Sequence, residues 1–120
     1  MSSEEITRTS TIRFDVHLDK ENLPVSIDWA ADDGEFNEPQ AAKAIMVGLW
    51  DGLQKEAMRI DLWTKEMSIE EMSQFTFQYL MTMADSFERA TGNSEAANII
   101  REASHDFGHK ADVFGPDHQH

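Results

Sequence analysis

A chain of 120 residues has room for one hydrophobic core and not for two, so a single domain is expected, with an ordered core over about 10–114 and polar tails at 1–8 and 115–120. Its 23 acids against 10 Lys and Arg leave a net charge of −13. That charge excludes nucleic-acid phosphates and anionic lipid headgroups as partners, because binding either depends on cations displacing counterions.

The opening MSSEEITRTS carries acids where a secretory signal has basic residues, and no apolar region follows it. No run approaches the roughly 20 apolar residues that span a bilayer. The chain therefore reads as a soluble, cytoplasmic protein without membrane insertion. The absence of cysteine, which excludes disulfides and thiolate metal sites, is compatible with that compartment.

From Ser10 the pattern alternates strictly, with Ile12, Phe14, Val16 and Leu18 on one face and Thr11, Arg13, Asp15 and His17 on the other, which predicts a half-buried strand. After DKEN, the residues Val25, Ile27 and Trp29 alternate with Ser26 and Asp28, giving a second strand and a hairpin. ADDGEFNE breaks the pattern. Pro39 suits the first turn of a helix, with Asn37 or Glu38 near its cap. Ala42, Ile45, Met46, Leu49, Trp50 and Leu53 then recur at helical spacing, and Gly52 marks a C-terminal break.

RIDLWTKEM, residues 59–67, returns to period two as a third strand, with Met58, Ile60 and Leu62 facing a core and Arg59, Asp61 and Trp63 facing away. Ser68 and Glu71 form a capping box that starts a long helix to Thr91, and Gly92 stops it. Its main apolar stripe is Met72, Phe75, Tyr79, Leu80, Met83, Phe87 and Ala90, with Phe77, Met81 and Ala84 to one side. A third helix from about Ser94 to Phe114 offers Ala96, Ile100, Ala103, Phe107, Ala111 and Phe114 as cover, with Phe77 and Met81 expected against it.

The expected order is ββαβαα, an α+β fold. A right-handed crossover places the third strand beside the first, in a three-stranded antiparallel sheet of order 2-1-3 with three helices packed on one face. The other face, wet, carries Arg13, Asp15, His17, Asp28, Arg59, Asp61 and Trp63.

Two constellations hold candidate chemistry. In HDFGH, His105 and His109 lie four apart on a helix, with Glu102 and Asp112 on the same face, so two imidazoles and a carboxylate can converge on a divalent metal. That face is opposite the apolar stripe and is expected to be solvated. Asp106 stands where zinc proteases carry Glu, and Gly108 weakens the helix between the ligands. The terminal DHQH is a weaker version of the same pattern. His17 is placed to pair with Asp28 or Asp61 as a surface histidine. No nucleophile elbow, P-loop or dinucleotide fingerprint occurs, so no catalytic residue and no cofactor are assigned. Trp63 is more informative: outward-facing among charges, it reads either as a binding hot spot or, equally, as a Trp folded over the sheet edge or under a loop.

RIDLWTK at Arg59–Lys65 also carries a resemblance, together with Ile27-Asp28-Trp29-Ala30-Ala31-Asp32-Asp33, Leu49-Trp50-Asp51 and the helix end Met83–Gly92. Over roughly residues 10–110 the chain resembles GldC, the small gliding-motility-associated protein family of Bacteroidetes-type bacteria. The resemblance implies an accessory role in movement of cells over surfaces, with protein partners in the gliding machinery. It carries no catalytic or ligand residues to this chain.

The reading is thus a non-enzymatic interaction protein whose partner surface includes Arg59, Asp61 and Trp63, with homo-oligomerisation left open. A metal-dependent enzyme or metal-binding protein using His105, His109 and Asp112 is the alternative.

Overall fold

The strict alternation in the first 31 residues becomes two paired strands in the computed structural model. These are β1 (Ile12–Leu18) and β2 (Pro24–Ala31), antiparallel with Phe14 opposite Trp29 and Val16 opposite Ile27. The structure describes residues 4–33 and 38–115. The chain divides into two units, Met1–Met67 and Ser68–His120; the elements among the described residues are strands in the first and helices in the second.

The turn between β1 and β2 is organised by Asp19. Its Oδ1 accepts the backbone N–H groups of Glu21 and Leu23 at 2.8 and 3.0 Å. Asn22 takes the left-handed conformation, φ 65°, which Asn tolerates better than most residues. A short strand, β3 (Gln40–Ala42), adds to the other edge of β2 with Ala42 opposite Ile27. Ile27 therefore sits on the central strand between Val16 and Ala42, and is fully buried.

The segment 39–53 is not a helix. It forms β3 and then β4 (Ala44–Asp51), which pairs antiparallel with β5 (Glu56–Trp63) in a separate two-stranded sheet. Helical and strand periods both fit a nearly continuous apolar run such as AIMVGLW, and local chemistry decides between them. Ile45 and Val47 are β-branched, and Gly48 in a helix interior costs about 1 kcal/mol relative to Ala. Asp51 then closes a hairpin, its Oδ1 accepting the N–H groups of Leu53 and Gln54 at 3.0 and 3.1 Å. Lys55 completes the turn at φ 59°. Asn37, an expected capping residue, lies outside the described residues.

The expected order 2-1-3 is replaced accordingly. The first sheet runs β1-β2-β3, and the strand expected beside β1 pairs with β4 instead. Thr64, almost fully buried, joins the ends: its backbone N–H and its hydroxyl both donate to the Lys43 carbonyl, at 2.9 and 2.6 Å. Lys65 ties the end of β5 back to the first hairpin, through its N–H to the Pro24 carbonyl at 3.2 Å and its Nζ to Asp19 at 2.8 Å.

Among the described residues there are two helices rather than the expected three, α1 (Ile69–Thr91) and α2 (Ser94–Lys110), both in the helical unit. The capping box is present: Glu71 N–H donates to Ser68 Oγ and Ser68 N–H to Glu71 Oε1, each at 3.1 Å. Gly92 ends α1 at φ 75°, and the Asn93 side chain caps α2 by accepting from Ala96 N–H at 3.0 Å. The helices pack as a hairpin through small residues, with Ala84 of α1 and Ala97, Ser104 and Gly108 of α2 all buried.

The expected stripe of α2 is thus shifted, and Ala103 is exposed. Close approach of two helices selects the face with the smallest side chains over the one with the most apolar ones. Arg101 reaches across to Asp85 at 2.8 Å and Glu88 at 2.6 Å. These two carboxylates raise its pKa, while the Ser94 hydroxyl and Arg101 lower that of Glu88.

α2 stops at Lys110, short of the expected Phe114. Asp112 adopts φ 58°, and the N–H groups of Asp112 and Val113 turn back to the carbonyls of His109 and Gly108, at 3.3 and 2.8 Å. This is a Schellman ending with Asp in the position usually held by Gly. Phe114 is thereby folded back onto the helix it was expected to extend.

Candidate interaction surface

The β4–β5 hairpin has two unlike faces. Ile45, Val47 and Leu49 lie opposite Leu62, Ile60 and Met58 on one face, and Ala44, Met46, Gly48 and Trp50 lie opposite Trp63, Asp61, Arg59 and Ala57 on the other. The register confirms that Arg59, Asp61 and Trp63 share a face. Burial departs from expectation, because the apolar face is closed only at its base. Ile45 is buried and Leu62 half-buried, whereas Ile60 and Met58 are 48% and 55% exposed.

On the mixed face, Arg59 and Asp61 pair along the strand at 3.3 Å. Trp63 is half-buried at the base beside Ala44, so it is less open than its position in the sequence suggested. The residue that sequence reasoning missed is Trp50. It lies on this same face and is 69% exposed. Its apparent place in a helical stripe hid it, and the strand period would have found it. Gly48, directly opposite Arg59, leaves open space above the sheet, since an added Cβ there meets nothing within 4 Å.

The remaining members of the expected wet face are on the other sheet. Arg13, Asp15, His17 and Asp28 share the polar face of β1–β2, where His17 Nε2 lies 3.0 Å from Asp28 and Arg13 pairs with Asp15 at 3.1 Å. One continuous polar face is therefore split between two sheets, because β5 pairs with β4 and not with β1.

His105 and His109 come together as their spacing predicts, with ring centroids 4.6 Å apart, but Phe114 packs against both at 5.2 and 4.8 Å. The face expected to be solvated is in part covered by this ring, and His109 is half-buried. Asp112 stands at the turn after the helix, lining a shallow groove with Glu70 and Gln74. Among the described residues no group of three or more His, Cys, Asp or Glu side chains is arranged to hold a metal ion. His118 and His120 lie outside those residues.

Phe77 packs edge-on to Phe114 at 5.2 Å and Met81 is half-buried, as expected of the side patch on α1. The main stripe is the more open one. Tyr79, Met83 and Phe87 are exposed and line a shallow groove with Thr82, Ser86 and Arg89. Helical spacing had assigned these three to a core.

Compared with known proteins, the chain matches the family described as gliding motility-associated protein GldC-like over residues 24–113. That span begins at β2 and includes both hairpin faces, α1 and α2. No curated protein and no solved structure matches the chain.

Proposed function

The chain belongs to the GldC-like family of gliding motility-associated proteins, and from that premise we propose that it is an accessory of the gliding machinery that acts by binding other proteins, without catalysis. The observation that carries this reading is the mixed face of β4–β5. An exposed Trp50 shares that face with the Arg59–Asp61 pair and with Trp63. Trp and Arg are the residues most enriched at the energetic centres of protein interfaces, and flanking charges of both signs set orientation.

Asp19 and Glu88 have lowered pKa values because each is held in hydrogen bonds and ion pairs that organise a turn and a helix hairpin. The proposed compartment is the cytoplasm, which the cysteine-free composition fits. Among the described residues no helix is long and apolar enough to cross a membrane.

The test is affinity capture from the native cell with mass spectrometry, comparing the wild-type chain with Trp50→Ala. Because Trp50 is exposed, its removal should leave the fold intact, which circular dichroism of the variant checks. The reading predicts that a defined set of gliding proteins is recovered with the wild type and depleted with the variant. Equal recovery would place the partner surface elsewhere.

A further inference from the structure

We infer that the free edge of β5 pairs with β5 of a second copy, forming a continuous four-stranded sheet β4-β5-β5-β4 around a two-fold axis at Ile60. Among the described residues this sheet contains β4 and β5 alone, and no strand is hydrogen-bonded along the outer edge of β5 from Ala57 to Asp61; the first hairpin meets that side only past the strand's end, where Lys65 N–H bonds to the Pro24 carbonyl. The Thr64 N–H bonds across to Lys43. With the register of the hairpin, this fixes the direction of every other peptide group. Leu62, Ile60 and Met58 turn their N–H and C=O toward β4, while Ala57, Arg59 and Asp61 turn theirs to the outer edge. An exposed edge of this kind is a template for another strand.

The side chains decide which strand fits. Pairing centred on Ile60 sets Arg59 opposite Asp61 of the second copy and Asp61 opposite its Arg59, two ion pairs related by the axis. On the other face Ile60 meets Ile60, and Met58 meets Leu62 twice, covering apolar side chains that stand half open in one copy. The odd-numbered residues whose peptide groups face outward then pair with one another, as an antiparallel ladder requires. Neighbouring registers fail. Centring on Arg59 or on Asp61 sets like charges directly opposite, while centring on Met58 sets Arg59 opposite Ala57 and centring on Leu62 sets Asp61 opposite Trp63, in each case carrying the other charge past the end of the partner's strand. A parallel in-register pair also sets Arg on Arg and Asp on Asp. The strand is self-complementary in one antiparallel register and guarded against the others.

This inference goes beyond the proposed role in gliding and does not depend on it. The mixed face stays outward in the dimer, so that both copies of Trp50 remain available to a partner. Sedimentation of the purified full chain across a concentration series tests it. The wild type is expected to dimerise. Arg59→Asp or Asp61→Arg alone turns both symmetric pairs into like-charge pairs and should raise the dissociation constant by about tenfold or more. The double exchange Arg59→Asp/Asp61→Arg restores opposite charges within and between copies, and should restore the dimer. Circular dichroism verifies that each variant is folded. A wild type that stays monomeric at every concentration overturns the inference, even if it captures another protein. So does a dimer that is indifferent to the single exchanges, or a folded double variant that remains a monomer.

Discussion

Gly108→Ala places a methyl group where α2 is most tightly packed. An ideal Cβ at this position lies 2.7 Å from Cε2 and Cζ of Phe114 and 3.2 Å from Cδ1 of Phe77, against the 3.4 Å at which ordinary contact begins. Two effects compete. Ala is the better helix former by about 1 kcal/mol. To make room, however, the Phe114 ring must move by more than a few tenths of an ångström, away from Phe77, His105 and His109, which hold it at centroid distances of 4.8–5.2 Å.

Overpacking of this kind costs about 1–3 kcal/mol, and each aromatic contact loosened adds about 0.5–1.5. The clash should win by about 1–2 kcal/mol, lowering the melting temperature by roughly 5–10 °C. Thermal denaturation followed at the helical circular dichroism band reads the difference. The cause is separated by a cycle: in a Phe114→Ala background the closest obstacle is gone and only the milder 3.2 Å approach to Phe77 remains, so Ala at 108 should then be neutral or stabilise by up to about 1 kcal/mol. If Gly108→Ala alone is as stable as the wild type, or the cycle shows no coupling, Phe114 does not pack over this glycine as described.

Other expectations follow from burial and charge. Ile27→Ala should destabilise by about 2–5 kcal/mol in urea denaturation, because Ile27 is fully buried on a central strand. Ile60→Ala should cost under about 1.5 kcal/mol, since that side chain is half open; the reverse ranking would show that the cores have been misplaced. The Lys65 bond, with the Leu23 and Glu21 N–H groups, lowers the Asp19 pKa from 3.8 to about 2. A depressed carboxylate pKa contributes stability above the ordinary value that is lost as pH falls from 3.8 toward about 2. Lys65→Met should therefore move the Asp19 carboxyl titration, followed by NMR, to higher pH and shrink that acid-side loss; an unmoved titration would refute the link. Ser68→Ala, which removes the capping box of α1, should cost about 1 kcal/mol.

What the sequence disclosed, and what it concealed, follows from how many signals each segment carried. The first hairpin was legible because polar residues interrupt the apolar ones at every second position from Thr11 to His17 and again at Ser26 and Asp28. α1 was legible at both ends, since Ser68 with Glu71 and then Gly92 each satisfy backbone groups that a helix leaves orphaned. Between Ala41 and Leu53 apolar residues are too dense for period to discriminate, and Gly52, which reads as the end of a helix, belongs with Asp51 to a hairpin signal. That single misreading moved β5 to the wrong neighbour, which in turn merged two polar faces into one.

The end of α2 was concealed for a different reason. An Asp at φ 58° in a Schellman ending has no sequence mark like that of Gly. Phe114 therefore read as a continuation, although it is a cap over His105 and His109. Of the candidate surface, Arg59, Asp61 and Trp63 were placed on their shared face by alternation alone. Trp50 joined them only through the pairing of β4 with β5, a long-range fact that no local pattern contains.

The claim that the mixed face of β4–β5 serves gliding is tested most directly by colony spreading of a gliding host that carries Trp50→Ala in place of the wild-type chain, with protein level and melting temperature checked alongside. The account predicts a stably folded, normally abundant variant whose colonies spread markedly less than wild type. Wild-type spreading by that strain would contradict it.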